Sequence, residues 1–137
     1  MSVTSKIVYE GELRTRMVHL QSGTAVITDA PTDNHGKGEA FSPTDLVATA
    51  LGSCMISLIG IKLKLQGRDN ELVGTEVEIR KVMYSEPRRI GEVYITLRFA
   101  PNHFSDKDKV MLENVARTCP VALSLHPDIT QHITFIW

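Results

Sequence analysis

From Leu46 to Ile61 the chain runs for sixteen residues without a single charged side chain. No other stretch constrains the fold as much. Its start is marked by Ser42 before Pro43, with Asp45 three residues after the serine. That is a variant of the capping box, in which the serine hydroxyl and the carboxylate serve each other's free amides. Pro43 suits the first helical position, where no N–H is needed. Lys62 and Lys64 close the run, short of the roughly 18–20 apolar residues that cross a bilayer. The pattern predicts a helix from this cap to about Gln66, ended by Gly67. A helix that is apolar on all sides must be buried on most of them. A chain of 137 residues has little material to surround one, and Ala48, Gly52, Ser53, Ser57 and Gly60 are small enough to admit another helix. A second copy of the chain is the expected cover, which makes a homodimer.

On the N-terminal side, apolar residues recur with a period of about two, and Ser22-Gly23 supplies a turn. They predict a strand to about Glu12, a second over Thr15 to Gln21 and a third over Thr24 to Asp29. Ala30 to Phe41 is nearly devoid of apolar residues and reads as a long loop, a length that points to function. Beyond the helix, Glu71 to Tyr84 and Glu92 to Ala100 read as strands joined by a hairpin over Ser85 to Gly91. Ser105 and Asp108 form another capping box opening a second helix, which breaks near Cys119 because Pro120 disfavours helical geometry just before it. Val121 to Leu125 adds a helical turn and Ile129 to Trp137 a last strand. The order βββ-α-ββ-α-β defines a single α+β domain with its helices on one face of a mostly antiparallel sheet.

Charge excludes several classes of partner. Fifteen Lys and Arg against sixteen Asp and Glu leave a formal charge of −1. Such a surface lacks the basic excess that binds nucleic acid or an anionic membrane. Two cysteines are too few for a disulfide-stapled scaffold, and no basic-then-apolar leader opens the chain, so the cytoplasm is the expected compartment. There is no phosphate-binding glycine loop, no GxSxG elbow, no CxxC pair and no HExxH spacing. The five histidines are far apart and read as surface residues, so no metal site is expected.

Chemistry thus rests on Cys54 and Cys119. Cys54 lies about three turns into the long helix, beyond reach of its positive end, and burial alone would keep it an inert thiol. Cys119, at a helix break before proline, is expected to be exposed and free to move. Two readings stay open at this point: two thiols that fill core space, or a reactive pair in which one is oxidised by peroxide and the other resolves the sulfenic acid as a disulfide.

The local sequences bear on that choice. The stretch Phe41-Ser42-Pro43-Thr44-Asp45-Leu46-Val47-Ala48-Thr49-Ala50-Leu51-Gly52-Ser53-Cys54 strongly resembles the proline-to-cysteine helix of the OsmC/Ohr family, the osmotically inducible and organic hydroperoxide resistance proteins. Arg117-Thr118-Cys119-Pro120-Val121 is similar to that family's second motif, and the element order fits along the whole chain. The resemblance implies an intertwined homodimer that reduces organic hydroperoxides, with Cys54 as the peroxidatic and Cys119 as the resolving cysteine. It implies no metal or organic cofactor, and an external dithiol as reductant. It also implies an arginine after the first strand. Arg14 falls at that position, with Arg16 as the fallback on the same side of the strand. Leu51, Met55 and Leu58, beside the cysteine, would favour apolar peroxides.

One departure from the pattern matters. Hydroperoxide reductases of this family place a glutamate ten positions before the cysteine, where it holds the arginine; here that position is Thr44. Asp45 points away around the helix, and Glu39 in the preceding loop is another possible partner. The carboxylate is therefore either rebuilt or missing, and the chain fits the wider OsmC-like branch. A missing carboxylate would favour an alternative function, a redox-sensing or apolar ligand-binding dimer with little peroxidase activity.

Overall fold

The computed structural model describes residues 2–137. Six strands and three helices follow in the order β1 (Ser5–Gly11), β2 (Arg14–His19), β3 (Ala25–Asp29), α1 (Pro43–Lys64), β4 (Glu76–Tyr84), β5 (Arg89–Arg98), α2 (Asp106–Arg117), α3 (Pro120–Ser124) and β6 (Thr130–Ile136). The chain forms two compact units that divide within α1, one up to Val47 and one from Ala48 to Trp137.

In the first unit, β1, β2 and β3 make an antiparallel sheet in that order. The hairpin register puts Arg14 opposite Asp29 and Thr15 opposite Thr28. The loop after β3 holds a short 3₁₀ turn, Thr32–Asn34, and returns to the sheet through the Asp29 amide, which donates to the Phe41 carbonyl at 3.1 Å. The start of α1 is as expected. Asp45 N–H donates to Ser42 Oγ at 3.1 Å, and Ser42 N–H to Asp45 Oδ2 at 3.0 Å.

In the second unit α1 lies on a sheet ordered β4-β5-β6. Leu51, Met55, Ile59 and Leu63 form one fully buried stripe, with Val93, Ile95 and Leu97 of β5 and Leu112 and Ala116 of α2 in the same core. Gly52 marks the closest approach: a Cβ there would lie 2.6 Å from Ile79 Cδ1 and 3.0 Å from Val77 Cγ1 of β4. The helix closes through Gly67, whose φ of +69° is cheap only for glycine, and Arg68 N–H donates to Leu63 O at 2.8 Å. By length and composition α1 could cross a membrane, yet its buried stripe already has a protein partner.

Two features differ from the sequence expectation. The strands form two three-stranded sheets, and β5 pairs with β6 in parallel because α2 and α3 form the crossover between them. The strand expected from Glu71 starts at Glu76; Asp69–Leu72 is a 3₁₀ turn, and Gly74 at φ +91° redirects the chain. Within its own unit α1 is covered on one side only, since Ala50, Ser53, Ser57 and Ile61 stay exposed along the opposite side.

Candidate functional site

Cys54 sits mid-way along α1, next in sequence to the buried Met55 and thus at the edge of the buried stripe, where it is half-buried. Cys119 lies between α2 and α3. Pro120 forces it into the extended region, at φ −66° and ψ 151°, which is the geometry of an N-cap. Its Sγ turns inward and accepts the Ala122 N–H at 3.4 Å. This corrects the expected exposed and movable thiol: Cys119 is wholly buried, because capping α3 draws its side chain into the core.

The two thiols are neighbours and both are reduced. Burial holds the Cys119 thiol above its ordinary pKa, the adjacent Cys54 pushes the same way, and the Ala122 and Val121 amides partly oppose both. Cys119 is therefore a protonated thiol at neutral pH, out of contact with water. Of the two cysteines, only Cys54 is partly exposed.

The arginine site is built within the first unit. Arg14 Nε donates to Asp29 Oδ1 and Nη2 to Oδ2, each at 2.7 Å, a two-pronged pair set by the β2–β3 register. Asp29 is 1% exposed. Its second oxygen also accepts the Glu39 N–H at 3.0 Å. Hydrogen bonding from Arg14 holds the Asp29 carboxyl below its ordinary pKa against the opposing effect of burial, and Arg14 is raised in turn. The Glu39 carboxylate stands 3.7 Å from Arg14 Nη2 on the exposed side, and Lys37 pairs with Glu12 nearby.

The expected partners thus separate. Glu39 meets Arg14 through its loop carboxylate and, by its amide, supports Asp29. Asp45 caps α1. Thr44 lies 3.2 Å from Ser42, hydroxyl to hydroxyl, within that cap. Arg16 is exposed opposite Ile27. The residue missed in sequence was Asp29; only the hairpin register would have revealed it. Arg14 thus pairs with a carboxylate of β3, Asp29, and not with one of α1.

Beside Glu39 a cavity of about 490 Å³ is lined mainly by apolar groups of Val26, Ile27, Ala40 and Phe41. Of the apolar residues expected near Cys54, Leu51 and Met55 are wholly inside the core, which leaves Leu58 half-buried one turn beyond the cysteine. No three His, Cys, Asp or Glu side chains cluster to hold a metal among the described residues.

The OsmC-like protein family matches residues 36–133. No curated protein matches the chain in sequence. Among solved structures, a Psychrobacter arcticus protein described as an osmotic stress induced and detoxification response protein is 50% identical, with a TM-score of 0.93 over 98% of this chain and 96% of that one. A Legionella pneumophila organic hydroperoxide resistance protein OsmC shares the fold at 15% identity and a TM-score of 0.74, over 98% of both chains. Bacillus subtilis OhrB does so at 15% identity and a TM-score of 0.64, over 97% of this chain and 98% of that one. With a match that spans the second half of the loop, both cysteine motifs and part of the last strand, this chain belongs to the OsmC-like protein family.

Proposed function

We propose that this protein is a cysteine peroxidase for organic hydroperoxides, acting in oxidative or osmotic stress defence. The observation that carries the reading is the adjacency of a half-exposed Cys54 and a buried, protonated Cys119. The Cys54 thiolate attacks the terminal peroxide oxygen, the O–O bond breaks, and the alcohol leaves with a proton. Cys54 becomes a sulfenic acid. Cys119 then attacks the Cys54 sulfur, water departs, and a disulfide forms. An external dithiol returns both thiols with two electrons, and no cofactor is required.

Arg14 is the cation assigned to stabilise the thiolate and the charge developing on the leaving oxygen, with Asp29 fixing its orientation. The half-buried Leu58, one turn beyond Cys54, favours an organic peroxide over hydrogen peroxide. The names of the Legionella pneumophila and Bacillus subtilis relatives support the same substrate class. The working form is a homodimer. Ala50, Ser53, Ser57 and Ile61 form an uncharged helix face that a second copy's helix would cover. The cycle belongs in the cytoplasm, where dithiols are kept reduced.

The test is peroxide consumption with dithiothreitol as the reductant. Cumene hydroperoxide should be reduced about tenfold faster than hydrogen peroxide, and Cys54→Ser should abolish turnover. An inactive wild type, or a Cys54→Ser variant at the wild-type rate, would overturn the reading.

A further inference from the structure

The end of β5 and the end of β6 build a second concavity, separate from the thiols. Its floor is aromatic. Phe99 and Trp137 stack with ring centroids 3.8 Å apart and planes 9° from parallel, and Phe104 meets Trp137 edge-on at 5.7 Å. Its rim is fixed by the backbone. Phe99 N–H donates to Ile136 O at 2.9 Å and Ala100 N–H to Thr75 Oγ1 at 3.1 Å. The Asn102 side chain bridges the loop, giving its Nδ2 hydrogen to Ala100 O at 2.9 Å and accepting the Phe104 N–H at 3.2 Å. The open concavity has a volume of about 480 Å³, within the range of small-molecule sites.

Charge decides what fits there. Arg68 lies over Phe104 at 5.3 Å, but Glu71 at 2.7 Å and Asp108 at 3.1 Å already neutralise it. Lys109 of α2 lines the cavity, is half-buried, and takes part in no ion pair among the described residues. No Asp or Glu side chain lines the cavity beside it. One unpaired ammonium in the lining of a cavity that also holds a stacked aromatic pair is complementary to a flat ring bearing one negative charge. A polyphosphate would need more cations than this one.

We propose that this cavity binds a small aromatic carboxylate, the ring extending the Phe99–Trp137 stack and the carboxylate meeting Lys109. Trp137 is the single tryptophan, so its indole N–H resonance reports on the site directly in a ¹⁵N-labelled full chain. The probes are 2-naphthoate and the uncharged 2-naphthylmethanol. Naphthoate should shift that resonance saturably, while the alcohol, or naphthoate added to Lys109→Gln, should bind at least about tenfold more weakly. A shift that fails to saturate at millimolar naphthoate would overturn the proposal. Equal affinity for the alcohol in the wild-type protein would do so as well, whatever the variant does.

Discussion

All twelve apolar side chains buried among the described residues lie at or beyond Ala48, whereas the buried residues Thr28, Asp29 and Ser42 before it are polar. The second unit is held by hydrophobic burial: a helix stripe, the inner face of β5 and the inner side of α2. The first unit is held by directed polar contacts. Its interior is the Arg14–Asp29 pair, the Thr15–Thr28 hydroxyl contact and the Ser42 cap, while Ile7, Val8, Tyr9, Val26 and Phe41 face outward. The difference teaches where each kind of chemistry belongs. An apolar core can keep a reserve thiol protonated and dry. A polar interior can aim a guanidinium, because paired hydrogen bonds fix direction and hydrophobic contact does not.

The largest expected effect separates the two units by stability. Leu112→Ala should cost about 2–5 kcal/mol in urea unfolding, as complete burial demands. Leu20→Ala, on the half-open first unit, should stay below about 1 kcal/mol. Equal losses would break the comparison. Next comes Asp29→Asn. It keeps the shape but removes the charge that orients Arg14, and should lower peroxide turnover by about tenfold to a hundredfold at unchanged Cys54 content. An unaffected rate would show that Arg14 needs no such support.

A pH effect follows from the same pair. A carboxyl lowered on folding contributes stability that is complete above its unfolded pKa and is lost as pH falls through the folded one. Asp29 is lowered by Arg14, so below about pH 4 the wild type should lose thermal stability more steeply than Asp29→Asn. Parallel curves of melting temperature against pH would contradict this. The smallest effect is expected from Glu39→Gln. Its carboxylate is exposed and 3.7 Å from Arg14, while its amide contact to Asp29 survives, so turnover should stay within about twofold of wild type.

What could be read in sequence was whatever local contacts decide. The Ser42–Asp45 and Ser105–Asp108 boxes span three residues each, and both form as the pattern implies. The alternation of β5 is equally local, with Val93, Ile95 and Leu97 inside. Asp29 carries no local signal, because its role depends on a partner fifteen residues away across a hairpin. The burial of Cys119 is illegible in the sequence for a similar reason. Proline announces the break in the helix, but which way the capping side chain turns is decided by the core around it. The parallel β5–β6 pairing needed the crossover through α2 and α3, a long-range choice that strand patterns do not carry.

The central claim is that Cys54 and Cys119 form one redox unit. One equivalent of cumene hydroperoxide, added to fully reduced protein without reductant and followed by intact mass and peptide mapping, tests it most directly. The account predicts loss of both free thiols, a mass lower by two hydrogens and a single Cys54–Cys119 linked peptide. Two surviving thiols with the peroxide unconsumed, or oxygen retained on Cys54 while Cys119 stays free, would contradict it.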